Sequence, residues 1–545
     1  MTEYNQIQPL GLGSLPRKQI IITFVGVMLA MFLASLDQTV VGTAMPRIIS
    51  ELGGFSKYTW VTTAYIITSA VAVPITGKLT DIYGRKFFYI GGIGIFVLAS
   101  IACGFSNTMN LIIIFRGVQG IGAGVMMANA FTVIGDLFPP AVRGKYQGLM
   151  SGVFGVSAII GPTLGGYITD KFSWHWVFFV NVPLGILVIV LFFIFFPHIK
   201  PDNLKHSIDY PGVALLTVFV VPLLLALSWG GVEYPWGSPE IIAMLIIAAM
   251  ALVFFILVEY RSKEPLIPLS LFKNRIVSVS CLMILLTGGG MFGAITFIPL
   301  FFQGVIGVSA TSSGNYITPM MLGNVFGSFI SGQLLSRAGG RYRIQGAVGV
   351  FLMAVGMFLL SRINVNTTNG AMIRNMVIAG FGLGVTLPLY TIAVQNAVPY
   401  KVLGVATSTA AFFRSIGGSV GLAIFGSILN NRFAAEMSAR VPADFAKAVP
   451  TQQLNTLIHN PQALLSPEAQ TQLQGIVTKV GDPSGNLLHQ VMQALRESLA
   501  LSIAHIFMYA LIIVGLAFIV NLFIKEIPLR SHHGPDTGHL EKKVE

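Results

Sequence analysis

The chain has 545 residues, of which 54% are hydrophobic and only 10% are charged. Soluble proteins are about a quarter charged, so this composition excludes a soluble enzyme and a disordered protein. A helix that spans a bilayer needs about 20 apolar residues, and the chain contains many runs of that length. The composition therefore indicates a polytopic membrane protein with the lipid bilayer as its surroundings.

The net charge of +12 does not indicate nucleic-acid binding. The basic residues lie in short gaps between apolar runs, which is the pattern that membrane topology produces. A basic stripe with interleaved aromatic residues, typical of nucleic-acid grooves, is absent from the sequence. We therefore expect no nucleic-acid partner.

Fourteen apolar segments are long enough to cross a membrane, and we number them spans 1 to 14. In chain order they are 19–46, 57–77, 86–105, 109–135, 145–169, 175–197, 209–230, 239–259, 276–302, 310–336, 342–362, 370–396, 401–430 and 498–524. The predicted fold class is therefore an all-α polytopic membrane protein. An even number of spans places both termini on the same side.

The distribution of Lys and Arg predicts the orientation, because these residues accumulate in cytoplasmic loops. Of the 33 Lys and Arg residues, 21 lie in gaps on the side of the N-terminus, 10 lie on the other side, and Arg116 and Arg414 fall inside spans. This bias predicts cytoplasmic termini in a plasma or inner membrane. The long loop 431–497 is then predicted to face outward.

An internal repeat relates the two ends of the chain. Gly120–Val125 aligns with Gly380–Val385 at an offset of 260 residues, and the same offset pairs Gly144 with Gly404. Matching loop residues argue against a chance alignment of two glycine-rich helices. The repeat predicts two related halves that run in the same direction through the membrane.

A second match, at an offset of 255 residues, aligns Gly77–Asp81 with Gly332–Ser336. Six spans in each half leave spans 7 and 8 over as an additional pair. The predicted domains are a cytoplasmic N-terminus 1–18, a six-helix bundle 19–197, two extra spans with linkers 198–275, a second six-helix bundle 276–524 and a cytoplasmic tail 525–545.

Four motifs resemble those of a known family. The loop Gly77-Lys-Leu-Thr-Asp-Ile-Tyr-Gly-Arg-Lys86 resembles the signature loop of the major facilitator superfamily, and Arg116-Gly-Val-Gln-Gly120 resembles its span-4 arginine motif. Gly161-Pro-Thr-Leu-Gly-Gly166 is similar to the antiporter motif of the drug:proton branch. Leu36-Asp-Gln-Thr-Val-Val41 resembles the span-1 motif of the fourteen-helix group of EmrB/QacA type.

This resemblance implies the major facilitator fold and a proton-coupled exporter of small hydrophobic or amphiphilic compounds, with multidrug efflux as the favoured activity. An exporter of lipids or fatty-acyl molecules is the alternative within the same fold. A membrane enzyme or a channel is remote, because the sequence has no phosphate-binding loop, metal-ligand cluster or nucleophile elbow. We expect no cofactor and no metal, and an envelope adaptor protein is left open as a partner.

Asp37 and Arg116 are the predicted proton-coupling residues. A charge at membrane depth costs about 2.5–3.5 kcal/mol or more, and burial favours the neutral form of a carboxylic acid. At a rise of about 1.5 Å per residue, both side chains lie ~10–14 Å from the outer end of their spans. We therefore expect the two to lie within reach of each other, with a fixed structural ion pair as the alternative.

Arg414 is predicted to line the substrate cavity or to bond backbone carbonyls, because spans 9 to 14 contain no Asp or Glu in their apolar cores. A cation there fits an anionic substrate group, whereas a cationic drug would favour Asp37 as its counter-charge. The predicted aromatic walls of this cavity are Phe292, Phe301, Tyr390, Phe412 and Phe413.

The loop between spans 2 and 3 is predicted to latch the two halves together on the cytoplasmic side. Gly77 and Gly84 allow close approach and a tight turn. Asp81 can accept hydrogen bonds from the N-terminus of span 13, and Arg85 can pair with Asp136. The alternative for these residues is a solvated charged loop.

Small residues on span 5 are predicted to seal or hinge the contact between spans 5 and 10, because they let membrane helices approach closely. Ordinary helix packing is the alternative. The residues concerned are Gly155, Gly161, Pro162, Gly165 and Gly166.

Overall fold

The computed structural model describes residues 16–53, 57–197, 208–231, 233–308, 316–337, 339–450, 454, 458 and 486–530. Within these ranges the regular structure consists of helices, and fourteen of them are long. The all-α prediction is therefore confirmed. The predicted terminal segments 1–18 and 525–545 lie mostly outside the described residues.

The fourteen long helices correspond to the fourteen predicted spans, with span 6 broken at Val180. In chain order they are Arg17–Leu52, Tyr58–Tyr83, Arg85–Gly104, Met109–Leu137, Pro140–Lys171, His175–Phe179 with Asn181–Phe195, Tyr210–Trp229, Pro239–Arg261, Arg275–Phe301, Thr318–Arg337, Tyr342–Leu360, Asn369–Ala397, Leu403–Arg440 and Asn486–Asn521. Helices predominate because a bilayer leaves backbone polar groups no partner outside their own segment.

Thirteen of the fourteen long helices in the described ranges are long and apolar enough to cross a membrane, and span 10, Thr318–Arg337, is not among these thirteen. Its exposed large side chains recur at every fourth residue, at Leu322, Phe326, Ile330 and Leu334. That spacing places all four on one helix face, which suits contact with lipid. The opposite face carries small residues that pack on spans 5 and 12.

The predicted outward loop 431–497 is shorter than expected, because helices continue into it from both sides. Span 13 runs to Arg440 and span 14 begins at Asn486. The two extensions bury apolar side chains against each other, and these include Phe433, Met437, Val491 and Leu495. Each of the two helices therefore continues past its apolar run because the extension of the other helix provides a surface to pack against.

Two groups of spans have cores of their own. Buried side chains of spans 1 to 6 form one cluster, and buried side chains of spans 9 to 14 form another. Spans 7 and 8 pack on each other, and span 7 also packs on span 2. The hydroxyls of Thr63 in span 2 and Ser228 in span 7 lie 3.2 Å apart. Spans 7 and 8 thus lie beside the two bundles.

The two bundles meet at the ends of the spans that carry Lys78, Arg85, Arg143 and Lys401, which we term the basic face; the opposite end is the far face. The backbones of Gly144 in span 5 and Gly332 in span 10 touch directly.

Gly77 of span 2 likewise lies close to the Ser408 side chain and to the Gly404 carbonyl of span 13. The repeat pairs Gly144 with Gly404 and Gly77 with Gly332, so each of these two contacts is the counterpart of the other. The parallel arrangement predicted from the sequence therefore accounts for both.

A layer of polar side chains lies next to these glycine contacts. The Gln147 amide donates to Oε1 of Gln395 (3.2 Å), and the Gln395 amide donates to Thr407 Oγ1 (3.2 Å) and to the carbonyl of Phe131 (3.1 Å). These bonds join spans 4 and 5 of one bundle to spans 12 and 13 of the other. The basic face is closed in this conformation.

We expect Gly332→Val to open the basic face, because a Cβ on Gly332 would overlap the Gly144 backbone. Overpacking of this kind costs about 1–3 kcal/mol. The measurement is the yield of a disulfide across the closed layer in a Gln147→Cys/Gln395→Cys background. The control is Gly91→Val, because no described atom lies within 4 Å of a Cβ there. An unchanged yield in Gly332→Val would contradict the close packing.

Candidate functional site: a buried ion pair and a closed basic face

Asp37 of span 1 and Arg116 of span 4 form an ion pair inside the first bundle. Arg116 Nη1 lies 2.5 Å from Asp37 Oδ2. Asp37 is only 1% exposed and Arg116 only 2%. The contact expected from the depth of the two residues is therefore present. Opposite charges in direct contact offset each other's desolvation.

Two amides complete the surroundings of the carboxylate. Gln119 Nε2 and Asn181 Nδ2 donate to Asp37 Oδ1 at 3.0 and 2.8 Å, and both amides also donate to Ser100 Oγ. Gln119 Oε1 in turn accepts from Arg116. Spans 1, 3, 4 and 6 thus meet in one network, which we term the Asp37 network.

Sequence reasoning missed three members of this network, Ser100, Gln119 and Asn181. The available signal was polarity: each is a polar residue in an apolar span, and Gln119 lies three residues after Arg116. Residues three apart share a helix face, so the sequence could have placed Gln119 beside Arg116. Nothing in the sequence fixes how spans 3 and 6 turn toward span 1.

The Arg116 side chain also stacks on an aromatic ring. Its guanidinium carbon lies 4.3 Å from the centre of the Tyr65 ring in span 2, a favourable cation–π distance. Two buried atoms of the network have no hydrogen-bond partner, Arg116 Nε and Asn181 Oδ1. The network therefore keeps one spare donor and one spare acceptor.

The neighbouring face of span 1 borders open space. Gln38, Gly42 and Pro46 are exposed although Asp37 beside them is buried. A Cβ on Gly42 would meet no described atom within 4 Å. A polar Gln38 exposed inside a span indicates a space that water can enter, since such residues face aqueous cavities rather than lipid.

On the basic face, the Asp81 carboxylate bridges the bundles. Its Oδ2 accepts from the backbone N–H of Val405 at the start of span 13 (2.9 Å), and its Oδ1 lies 3.3 Å from Arg85 Nη2. Arg85 also pairs with the fully buried Asp136. The turn before Arg85 needs Gly84, whose φ of +88° is unfavourable for other residues.

Arg143 supports this cluster, although the sequence analysis assigned it no role. Its guanidinium donates to the carbonyl oxygens of Phe138 (2.7 Å) and Gly135 (2.5 Å), and the residue is 2% exposed. Those carbonyls belong to the end of span 4, where the helix leaves them without helical donors. Arg143 therefore fixes the end of the helix that carries Asp136.

The repeat of this cluster in the second bundle is different. Ser336, the counterpart of Asp81, donates to the carbonyl of Gly332 in its own helix. Gly340, the counterpart of Arg85, packs against the segment 527–529 beyond span 14. The Arg530 N–H donates to Asn396 Oδ1 (3.2 Å), where the first bundle has Asp136. The interaction through a carboxylate is thus present in one half only.

Arg414 of span 13 lies between the bundles. Its Nη2 donates to Thr391 Oγ1 (3.2 Å), and its guanidinium lies 5.5 Å from the ring centre of Phe131 in the first bundle. Its buried Nε has no hydrogen-bond partner. The same Phe131 accepts from Gln395 through its carbonyl, so Arg414 adjoins the polar layer of the closed face.

The four predicted aromatic wall residues whose side chains the structure describes pack against other side chains in this conformation, and their place in a substrate cavity stays a prediction. Tyr390 is buried and donates to Asn521 Oδ1 of span 14 (2.9 Å), and Phe301 is buried in the core of the second bundle. Phe412 and Phe413 pack toward spans 2 and 7 and the segment before span 9. An apolar span gives no signal of which aromatic faces inward. The side chain of Phe292 lies outside the described residues.

The glycines of span 5 divide between two neighbouring helices, so only some of them lie at the predicted contact between spans 5 and 10. Gly155, like Gly144 and Gly148 of the same helix, faces span 10, where its neighbours are Val325 and Met321. Gly161 and Gly165 instead face Thr39, Val40 and Thr43 of span 1. A helix turns by about 100° per residue, so Gly155 and Gly161, which are six positions apart, point to different sides. Pro162 lies within the helix and Gly166 is half-buried.

A large cavity of about 620 Å³ lies on the flank of the molecule, and no residue of either charged cluster lines it. Its lining comes from spans 2, 3, 4 and 7 and is apolar apart from three threonines, Thr68, Thr76 and Thr217. It lacks the convergent polar groups of a specific binding site. Its position on the flank suits lipid chains.

Comparison with known proteins identifies the family. Residues 27–422 match the family model described as Major Facilitator Superfamily. The chain is 40% identical over 541 residues to the Multidrug transporter protein MdtP of Bacillus subtilis (strain 168), with 97% of each chain covered. It is 37% identical over 519 residues to Multidrug resistance protein 3 of the same organism, with 95% of this chain and 97% of the relative covered.

Among solved structures, the human organic anion transporter MFSD10 (TETRAN) matches with a TM-score of 0.58 and 12% identity, over 92% of this chain and 100% of that one. At that identity the likeness shows the fold alone. The chain belongs to the major facilitator superfamily. It is a multi-pass membrane transporter and not an enzyme, and its fourteen long helices fit the fourteen-helix branch.

We expect Asp37→Asn or Arg116→Gln alone to lower the free energy of unfolding by about 3–5 kcal/mol, because each leaves one buried charge unpaired. The double variant should cost less than either single variant. Unfolding in detergent provides the measurement. The control is Arg47→Gln, since breaking the exposed Arg47–Glu51 pair at Arg47 should change little. Additive costs at positions 37 and 116 would contradict a coupled pair.

We expect Asp81→Asn to slow transport while insertion into the membrane stays normal. Asparagine keeps an oxygen for the Val405 N–H but loses the charge that faces Arg85. Bonds to charged groups contribute about 1.5–3 kcal/mol, equivalent to a ten- to hundredfold change in the closed population. The control is Ser336→Ala at the repeat-related position. Wild-type rates in Asp81→Asn would refute the latch.

Proposed function

We propose that the chain exports small hydrophobic or amphiphilic compounds in exchange for protons, with Asp37 as the proton-binding group. The observation that carries this proposal is the composition of the Asp37 network. An ionisable group buried inside a transmembrane bundle is a default candidate for a proton relay. The multidrug names of two relatives that align along nearly the whole chain support the substrate class.

The hydrogen bonds around Asp37 link its protonation to conformation. The three groups that contact its oxygens, from Arg116, Gln119 and Asn181, are all N–H donors. An ionised carboxylate accepts from all three, whereas a protonated one must donate and would find no acceptor among them. Binding a proton therefore requires the network to rearrange, so proton uptake and a change in helix packing occur together.

Asn181 supplies a route for that rearrangement. Its Oδ1 is buried without a partner while its Nδ2 donates to Asp37. Rotation of the amide would offer this oxygen to a protonated Asp37. Arg116 would then lose its counter-charge and keep Gln119 and the Tyr65 ring as partners. Spans 1, 4 and 6 would shift relative to one another.

The proposed orientation places the basic face in the cytoplasm of a cell bounded by a plasma membrane, with both termini on that side. The excess of Lys and Arg at this face supports the assignment. The closed conformation described above would then be sealed toward the cytoplasm, with Gln38 bordering a space that opens outward. In this arrangement, the bundles 19–197 and 276–524 would alternate access, and segment 198–275 would lie aside.

The test is flux in liposomes that contain the purified protein. An imposed proton gradient should drive uptake of a lipophilic dye against its concentration in wild type, and Asp37→Asn should abolish this concentrative uptake while leaving downhill exchange. The matched control is Asp170→Asn, another acid of the first bundle but at the far end of span 5. Concentrative uptake by Asp37→Asn at the wild-type level would contradict the proposal.

A further inference from the structure

Arg414 differs from Arg85, Arg116 and Arg143, which pair with a carboxylate or, for Arg143, donate to two backbone carbonyls. Arg116 pairs with Asp37, and Arg85 pairs with Asp81 and Asp136. Across the described ranges, no carboxylate comes within 4 Å of Arg414. The Asp37 network is neutral overall, so the region between the bundles carries one uncompensated positive charge.

The groups that do contact Arg414 are neutral. Thr391 supplies one hydroxyl oxygen, Phe131 supplies an aromatic face, and Nε remains without a partner. A guanidinium has five N–H donors, so most of its binding capacity is unused. An uncompensated cation inside a bundle is costly, and such residues mark substrate or ion pathways. A purely structural arginine would be expected to use its donors on backbone carbonyls, as Arg143 does.

The position of Arg414 connects a bound ligand to the closure of the basic face. Phe131 contacts Arg414 through its ring and Gln395 through its carbonyl. Gln395 joins the two bundles through Gln147. An anion held at Arg414 would therefore touch both bundles beside the layer that has to separate when the face opens.

Resting on the proposed function, we propose that Arg414 binds the negatively charged head group of an amphiphilic substrate, a carboxylate or a phosphate. The fork of the guanidinium matches either group in a bidentate manner. The apolar part of the substrate then lies along the Phe131 ring. Asp37 does not select cationic substrates in this conformation, because both of its oxygens are occupied and it is buried.

The test measures binding without a proton gradient, which separates this inference from proton coupling. Wild type and variants are placed in phosphatidylcholine nanodiscs at fixed pH. The probes are radiolabelled dodecanoate, its uncharged methyl ester and dodecyl phosphate. Arg414→Gln removes the charge but keeps a hydrogen-bonding amide, and Arg414→Lys keeps the charge. Arg362→Gln is the control, because Arg362 also stacks on a phenylalanine, Phe358, but is exposed.

We expect Arg414→Gln to weaken the two anionic probes about ten- to hundredfold, the usual effect of losing a charged hydrogen-bond donor, and to leave the ester unchanged. Arg414→Lys keeps the charge but loses the planar fork, so its affinity for the two anionic probes should fall between those of wild type and Arg414→Gln, and Arg362→Gln should match wild type. Wild-type anion binding by Arg414→Gln, or an equal loss for ester and anions, would overturn the proposal.

One further outcome identifies the source of the bound anion, and another distinguishes this inference from the proposal of proton coupling. Displacement of dodecanoate by added phosphatidylglycerol would support the site and identify a lipid phosphate as an occupant. Anion binding that depends on Arg414 in a protein whose flux ignores the proton gradient would support this inference and contradict proton coupling. No binding of either anionic probe by wild type would overturn the anion site.

Discussion

A carboxylate cannot stay ionised inside a membrane bundle without partners, and the first bundle is arranged around meeting that requirement for Asp37. Four of its six spans contribute a group to the network: Asp37, Ser100, the pair Arg116 and Gln119, and Asn181. Because the partners of Asp37 come from helices other than its own, loss of the charge removes bonds between helices. The chemistry of one side chain is thereby tied to the relative positions of whole spans.

The closure of the basic face also involves a carboxylate that bonds to a neighbouring helix. On the basic face, glycine contacts and an amide layer bring the bundles together, and Asp81 adds a single carboxylate that crosses between them. The repeat supplies the glycine contact twice but the carboxylate once. Loss of the Asp81 contact alone can therefore weaken the closed face. The two glycine contacts only define how close the helices lie when the face is closed.

The sequence predicted the architecture well because the bilayer dictates the length of apolar runs and the sign of loop charges. It also predicted the Asp37–Arg116 contact, since two opposite charges at equal depth have few alternatives. It does not indicate whether Tyr390, Phe301 or the aromatic pair at 412–413 faces a cavity, because a uniformly apolar helix does not reveal which side faces inward. The extension of span 13 to Arg440 was missed because a helix need not end where the membrane does.

The account depends on Asp37 exchanging a proton when substrate binds. Purified protein in weakly buffered solution, mixed with a transported dye, reports this directly through a pH indicator. The account predicts that wild type releases about one proton per bound dye molecule, the number set by a single carboxyl group, and that Asp37→Asn binds the dye without release. Binding by wild type with no change in pH, or equal release by Asp37→Asn, would contradict it.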